Sequence, residues 1–246
     1  MAEHDNARKI GNDTLMDFRD RHVVVSGGAG ALGTAVVAAL VGAGAVCHVP
    51  CLDEAEAQRF RLREHKAVAL TVTGSLADET AIARLYAGIA PLWASIHIAG
   101  GFAAAPLRET SAATLRQQID MNFISCALCC RAAVGAMAGS GGRIVNVAAR
   151  AALEWRSGAG MAAYTASKAA VAALTVALAE EVAKDGILVN AVAPSIMDTP
   201  GNRQAMPKAD YSLWPKVEEV AATIVFLASP DNRVTRGAIV PVYGKS

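Results

Sequence analysis

The sequence predicts an α/β protein: a single domain built on a doubly wound, parallel, seven-stranded sheet, with helices on both faces to give three layers. Short apolar or β-branched stretches alternate with longer stretches of helix-forming residues, which is the order expected of a parallel sheet. No internal repeat or linker divides the 246 residues. That length suits one large α/β domain with an ample core.

The first β-α-β unit lies in residues 22–52, a run of 31 residues without Asp, Glu, Lys or Arg. A stretch of about 18 apolar residues would normally suggest a membrane-spanning helix. Here a β-branched strand at 23–25 leads into a glycine-rich turn, a helix at 31–41 and a strand at 45–49,. Each piece is too short to cross a bilayer, so we expect no membrane segment.

The later elements continue the alternation. Asp53, with Glu56 three residues on, is typical of a capping box for a helix that extends to about residue 65,. The remaining strands are predicted at 67–72, 92–99, 142–148, 187–192 and 237–242. The remaining helices are predicted at 78–90, 110–137, 162–184 and 217–228. The polar, proline-punctuated segment 194–215 is typical of a lid over a site, and residues 1–20 are expected to be a partly flexible extension of the domain 21–246,.

Composition excludes several classes of protein. The net charge is +1 and no basic block is present, so we expect no nucleic-acid partner,. The 53% hydrophobic content is too high for a disordered chain, and 53 alanines supply much of it,. Small side chains of this kind let helices pack closely on a parallel sheet and at subunit faces. The polar N-terminus lacks an apolar signal core and the five cysteines are odd in number, which together favour free thiols in the cytoplasm,.

Two glycine turns follow strands and predict a ligand site. Ser26-Gly27-Gly28-Ala29-Gly30 lies between an apolar strand and an apolar helix. Glycine allows close approach of a pyrophosphate, and the helix N-terminus favours its negative charge. Gly100-Gly101 follows the strand at 92–99. Ligands of doubly wound sheets bind at these carboxyl ends, so a dinucleotide is predicted there.

Tyr164 and Lys168 are four residues apart and therefore share one face of a predicted helix,. An ammonium group beside a phenol lowers the pKa of the phenol, which makes the tyrosine a usable general acid or base. An ordinary surface pair is the alternative.

These motifs occur in a fixed order with Asn122, the strand GRIVNV at 142–147 and VNAVAP at 189–194. In that order the chain resembles the short-chain dehydrogenase/reductase family, from about Arg21 to its C-terminus. The resemblance implies a Rossmann-type subunit, an NAD(P)(H) cofactor, a small-molecule substrate and a homotetramer or homodimer. It also implies that Tyr164 donates a proton, that Lys168 binds the nicotinamide ribose and lowers the pKa of Tyr164, and that Asn122 holds a water in a proton relay.

The resemblance further implies two sets of contacts at the carboxyl ends of the strands. The cofactor residues would be Ser26, Gly27, Gly28, Gly30, Ala31, Leu32, Gly33, Cys51, Ala99, Gly100, Gly101, Tyr164, Lys168, Pro194 and Thr199. The substrate residues would be Phe102, Ala149, Ser195, Met206 and Trp214.

Two alanines depart from the family pattern. Ala31 replaces the middle glycine of the turn, and Ala149 stands where the catalytic serine is expected. Removing a hydrogen-bond donor to a developing oxyanion typically costs about 10²–10³ in rate. Ser157 is not a positional match, and whether it replaces the serine stays open.

The dihydropteridine reductase branch is similar in lacking the serine, in G-A-L-G at 30–33, in I-A-G-G-F at 98–102 and in the loop from 198 to 214. We therefore expect hydride transfer to a conjugated carbonyl or imine, pterin-like or quinone-like. A 3-oxoacyl or simple ketone reductase is one alternative, and a catalytically weak nucleotide-binding scaffold or sensor is another.

Cofactor preference and metal binding depend on what stands at particular positions. Cys51 occupies the end of the second strand, where an acid would pair with the ribose 2′-hydroxyl of NAD, so NADP(H) is favoured,. Asp53 is better explained as a helix cap. No His, Cys or Asp group shows metal-ligand spacing, so no metal is expected, and Cys126 and Cys129 are interpreted as buried packing residues,.

Overall fold

The computed structural model describes residues 16–246. Most of the predicted N-terminal extension, residues 1–15, therefore lies outside the described residues. Residues 16–20 pack on the domain: Phe18 is fully buried in the core and its amide donates to the Ala43 carbonyl at 2.9 Å.

Seven parallel strands form one sheet in the order β3-β2-β1-β4-β5-β6-β7, which confirms the predicted fold class. Their bounds are β1 (His22–Ser26), β2 (Val46–Cys51), β3 (Val68–Val72), β4 (Leu92–His97), β5 (Gly142–Val147), β6 (Ile187–Pro194) and β7 (Ile239–Val242). The strand order reverses between β1 and β4, where ligands of such sheets bind.

The helices cover both faces of the sheet. Their bounds are α1 (Ala31–Gly42), α2 (Glu54–Arg59), α3 (Glu79–Ala87), α4 (Ala112–Ile119), α5 (Ser125–Ala136), α6 (Arg150–Leu153), α7 (Ala162–Glu181), α8 (Pro200–Ala205) and α9 (Val217–Ala228). Val23 and Val25 of β1 pack with α1 and α9, whereas Val24 packs with α3, α5 and α7. A run of consecutive valines is therefore buried on both sides, as expected for a central parallel strand.

Three predicted elements differ from the structure for identifiable reasons. Helix α2 ends at Arg59, because Phe60 takes an extended backbone and is buried in the core. The helix predicted at 110–137 is interrupted by a π-helical turn, Asp120–Ile124. The segment 194–215 contains α8 and a 3₁₀ turn, Tyr211–Leu213, and is more structured than a loop.

Two helical stretches are long and apolar enough to cross a membrane, 112–136 and 162–181, although core helices of soluble proteins pass the same test. Both stretches contribute side chains to the core on one face of the sheet.

Candidate active site

The turn between β1 and α1 brings its backbone close to the turn after β4. A side chain on Gly33 would overlap the Gly27 carbonyl oxygen, and one on Gly27, whose φ is +69°, would lie 2.6 Å from the Ala99 amide nitrogen. No side chain caps α1, whose N-cap is Gly30. The first amides of α1 are therefore available to an anion, the arrangement expected of a phosphate cradle.

The cradle opens into a cavity of about 790 Å³. Many predicted cofactor residues line it: Gly27, Gly30, Ala31, Leu32, Gly33, Ala99, Gly100 and Thr199. The other seven predicted cofactor residues do not line it: Ser26, Gly28, Cys51, Gly101, Tyr164, Lys168 and Pro194. Gly28 faces Val49, and Cys51 is buried with its thiol 3.9 Å from the Val49 carbonyl.

Asn122 fixes the turn after β4 from the π-helical turn between α4 and α5. Its Oδ1 accepts from the Gly101 amide at 3.0 Å, and its Nδ2 donates to the Gly101 carbonyl at 3.0 Å. π-helical turns often occur at functional sites because the extra residue re-aims a side chain. Asn122 is buried and holds Gly101 in place, so Gly100, Gly101 and Asn122 form one corner of the fold.

Lys168 reaches that corner from α7. Its Nζ donates to the Val147 carbonyl at 2.8 Å. A Cβ built on Gly100 would lie 3.4 Å from Nζ and 2.5 Å from Asn122 Oδ1. Tyr164, one turn earlier on α7, contacts Phe102 edge to face, with ring centroids 5.0 Å apart. The structure thus gathers the predicted catalytic side chains from α7 and the π-helical turn around the carboxyl end of β4.

Burial governs the protonation of this pair. It raises the pKa of Tyr164 to about 12 and lowers the pKa of Lys168 to about 8. The lowered pKa expected for Tyr164 from a neighbouring ammonium is not found, because desolvation by burial raises this pKa. At neutral pH Tyr164 therefore keeps its proton.

The position where the family serine is expected is occupied by Ala149. Ala149 is buried at the end of β5 and begins α6. Ser157 is exposed in the 3₁₀ turn Trp155–Gly158, and its Oγ donates to the Glu154 carbonyl at 2.8 Å. That bond holds the hydroxyl in its own turn, so nothing in its geometry makes it a substitute.

The family model described as short chain dehydrogenase matches residues 21–210. This chain belongs to the short-chain dehydrogenase family. It is therefore an oxidoreductase, and members of its family typically bind NAD(P)(H).

Several dehydrogenases are similar to this protein over almost the whole chain. One is (2S)-[(R)-hydroxy(phenyl)methyl]succinyl-CoA dehydrogenase subunit BbsD of Thauera aromatica, 31% identical over 93% of this chain and 97% of its own length. Another is cis-4-hydroxycyclohexanecarboxylate dehydrogenase of Sinomonas cyclohexanicum, 34% identical over 92% of this chain and 96% of its own.

Solved short-chain dehydrogenase structures share the fold. An oxidoreductase of this family from Burkholderia thailandensis has a TM-score of 0.82 and 29% identity, over 91% of each chain. The structure titled "ElxO with NADP Bound" has a TM-score of 0.82 and 23% identity, over 91% of this chain and 97% of its own, and its likeness shows the fold alone.

The predicted substrate residues of this short-chain dehydrogenase lie in different places. Phe102 is exposed beside Tyr164. Trp214 lines a separate cavity of about 740 Å³. Ser195 Oγ donates to the Tyr243 carbonyl at 2.9 Å, and Met206 is the residue at which α8 ends. None of these four lines the main cavity, whereas eight of the predicted cofactor residues do.

Sequence reasoning missed the charged residues of the cavity, Glu56, Arg116 and Asp120. Glu56 lines it together with Pro50 and Leu52, at the end of β2. Its Oε2 accepts from the Leu52 amide at 2.6 Å, while Asp53 accepts from the Glu56 amide at 2.7 Å. The capping-box spacing was the available signal, but it indicated only a helix start.

Proposed function

We propose that this short-chain dehydrogenase transfers a hydride between NAD(P)(H) and a conjugated carbonyl or imine, with Tyr164 as the acid/base. The observation that carries the proposal is the arrangement beside the glycine cradle, where Lys168 and Asn122 lie close to Gly100 and Tyr164 contacts Phe102. The cradle fits a dinucleotide because its backbone leaves no room for side chains at Gly27 and Gly33,.

The cofactor, when bound, would supply or accept the hydride. In the reductive direction the protonated Tyr164 hydroxyl gives its proton to the oxygen or nitrogen that receives negative charge. Lys168 holds a buried ammonium at the same corner, and two of its three N–H groups remain after the bond to Val147,. Asn122 keeps the Gly101 turn in place through its two bonds to that residue. Gly27, Gly33 and Thr199 would hold the phosphates and the nicotinamide side of the cavity.

Ala149 supports a conjugated substrate. A saturated ketone concentrates charge on one oxygen and gains from a second hydrogen-bond donor, whereas a pterin-like or quinone-like ring spreads that charge. The exposed ring of Phe102 beside Tyr164 offers such a flat molecule an aromatic surface,. The resemblance to dihydropteridine reductases is part of this proposal, and it depends on the same two residues, Ala149 and Phe102.

A substrate panel tests the proposal. Purified enzyme with both cofactors is assayed on a quinonoid dihydropterin, a para-quinone, a 3-oxoacyl thioester and a simple cyclic secondary alcohol. We expect kcat/KM to be at least about tenfold higher on the conjugated pair. Robust turnover of the cyclic alcohol with none of the pterin or quinone would overturn the substrate class while leaving the oxidoreductase intact.

A second candidate is the oxidation of a ring alcohol that carries a carboxylate. It is favoured by the relative that is 34% identical, which is named for cis-4-hydroxycyclohexanecarboxylate. Adding that hydroxy acid to the panel distinguishes the two candidates, since it has no conjugated carbonyl or imine.

We propose NAD(H) as the preferred cofactor, in place of the NADP(H) favoured by the sequence. The Glu56 carboxylate stands at the end of β2, where it can accept from a ribose 2′-hydroxyl and would repel a 2′-phosphate,. Among the described residues that line the cavity, the only basic side chain is Arg116, which belongs to α4.

Direct binding tests this preference without turnover. NADH and NADPH are titrated into the free protein and followed by nicotinamide fluorescence. We expect NADH to bind at least about tenfold more tightly, and Glu56→Gln to remove most of that difference by strengthening NADPH. Glu54→Gln is the matched control, because Glu54 belongs to the same helix and its carboxylate does not line the cavity. Tighter binding of NADPH by the unmodified protein would contradict the assignment.

We also propose a cytoplasmic homotetramer or homodimer. All five cysteines are free and buried, as suits a reducing compartment,. Apolar side chains such as Leu115 and Val176 are exposed on α4 and α7,. Light scattering during gel filtration gives the mass in solution, and a monomer would contradict the assembly.

A further inference from the structure

A buried polar cluster lies between the sheet and α5, behind the catalytic corner. His97 ends β4, Asn146 belongs to β5, and Cys126 and Cys130 are one turn apart on α5. All four side chains are buried. No metal-ligand spacing marks these residues in the sequence, because three separate elements supply the four donors.

Four donor atoms of this cluster converge on a small volume. Asn146 Oδ1 lies 2.8 Å from His97 Nδ1, 3.3 Å from Cys126 Sγ and 3.5 Å from Cys130 Sγ. Cys130 Sγ lies 3.4 Å from His97 Nδ1, and the His and Cys donor atoms are all within 4.8 Å of one another. Ligands of a tetrahedral zinc ion, bound at about 2.0–2.3 Å, are separated by about 3.3–3.8 Å. Most of the separations already approach that geometry.

The hydrogen bonds of the cluster converge on one acceptor oxygen. Both thiols donate to Asn146 Oδ1, which also lies within hydrogen-bond distance of the His97 ring. A carbonyl oxygen has only two lone pairs, so three neighbours exceed its capacity. A cation at the centre would be bound by all four of these donor atoms at once.

Outer contacts hold the two non-sulfur donors towards the centre. His97 Nε2 lies 2.8 Å from Ser95 Oγ, which is 2.7 Å from the Tyr86 hydroxyl. Asn146 Nδ2 donates to Thr175 Oγ1 at 2.9 Å. A metal-bound histidine characteristically uses its other ring nitrogen in this way, which fixes its orientation.

We propose that His97, Cys126, Cys130 and Asn146 form a structural site for a zinc-like cation. Soft thiolates with an imidazole favour Zn²⁺ over Mg²⁺ or Ca²⁺. Binding releases both thiol protons, so two thiolates balance the 2+ charge and no net charge is buried. The ion would join β4, β5 and α5 directly behind the Gly100 turn and Asn122, and would stiffen the corner from which catalysis is proposed.

The burial of the cluster determines how it must be tested, because an ion has to enter before folding is complete. The full-length protein is unfolded in denaturant with reductant and chelator, then refolded with Zn²⁺, with Co²⁺ or with no metal. We expect one Zn²⁺ retained per chain after gel filtration, a thiolate-to-cobalt charge-transfer band, and a Tm higher by at least about 4 °C than that of the metal-free protein. No retained metal and no cobalt band would overturn the proposal.

Matched variants locate the site. Cys130→Ala and His97→Asn should each lower retained Zn²⁺ at least about tenfold. Cys129→Ala removes a buried thiol from the same helix that faces Tyr86, and it should retain Zn²⁺ at the unmodified level. Equal losses in all three variants would assign the metal elsewhere. If the variants do not fold, the Zn²⁺ content and cobalt spectrum of the unmodified chain decide the question alone.

Discussion

The phosphate cradle and the catalytic corner each carry an alanine in place of the family residue, but the two substitutions are not equivalent. Ala31 is exposed at the start of α1 and lines the cavity. Ala149 is only 7% exposed at the end of β5, and the Ser157 hydroxyl stays in its own turn. In the proposed function the first region acts through backbone amides, which any residue supplies. The second region would act through side-chain atoms, so a missing side chain would remove a function.

The largest effect is expected from Tyr164→Phe, which deletes one hydroxyl from the region that depends on side-chain atoms. We expect kcat to fall by about 10²–10⁴, because general acid–base catalysis contributes that much. NADH affinity, measured by fluorescence titration, should stay within about threefold, because the cradle is untouched.

Tyr211→Phe is the control, since Tyr211 belongs to the separate cavity. If Tyr164→Phe left every measured function unchanged, that result would favour a nucleotide-binding scaffold or sensor over an enzyme.

Restoring the serine should have the next largest effect. Ala149→Ser returns a donor to the corner, and we expect kcat on a saturated ketone to rise by about 10–10². On a quinone or pterin the gain should be below about threefold, because the charge is already delocalised. Steady-state kinetics on both classes measures the ratio, and equal gains on the two would contradict the proposed reason for the alanine.

A side chain added to the phosphate cradle, which is built from backbone groups, should weaken cofactor binding. Gly33→Ala forces a methyl group onto the Gly27 carbonyl, and we expect cofactor affinity to fall at least about tenfold with a loss of stability,. Gly42→Ala, at the other end of α1, meets open space and should leave binding unchanged. Titration and thermal unfolding of both proteins check this. Full affinity in Gly33→Ala would show that the cradle tolerates what its geometry excludes.

The smallest effect concerns the pH dependence of stability. Burial lowers the pKa of Lys168 from 10.5 to about 8, so between those values the unfolded chain binds more protons than the folded one. The cost of burying this ammonium is full below pH 8 and shrinks as pH rises towards 10.5. The free energy of unfolding of Lys168→Met minus that of the unmodified protein should therefore decrease as the pH rises from 7 to 10. Urea unfolding at several pH values measures the difference, and a constant difference would contradict the lowered pKa.

Much of the fold could be predicted because it depends on local patterns. Val23, Val24 and Val25 mark a central strand, and Gly27 and Gly33 mark a turn that only glycine can make. The helix at 217–228 was predicted at the bounds the structure gives it. Predictions were wrong where packing overrode the local pattern. At Phe60, burial in the core ends α2 at Arg59, six residues before the predicted end at about residue 65.

The candidate site divides in the same way. Tyr164 and Lys168 share a helix face by spacing alone, and the family resemblance implies that Asn122 and Gly100 lie near them. The pKa of Tyr164, raised by burial, could not be predicted from that spacing, because desolvation depends on every element packed around it.

The sequence by itself determined the α/β order, the glycine-rich turn, the helical spacing of Tyr164 and Lys168 and the absence of a serine at position 149, because each is a matter of residue type and short-range spacing. Only the tertiary structure decided which distant residues meet. Glu56 enters the main cavity because its carboxylate accepts from the Leu52 amide at the end of β2. His97, Asn146 and the two thiols of α5 converge because three elements bury their polar atoms against one another. Such encounters are set by packing across the sheet, which no local pattern encodes.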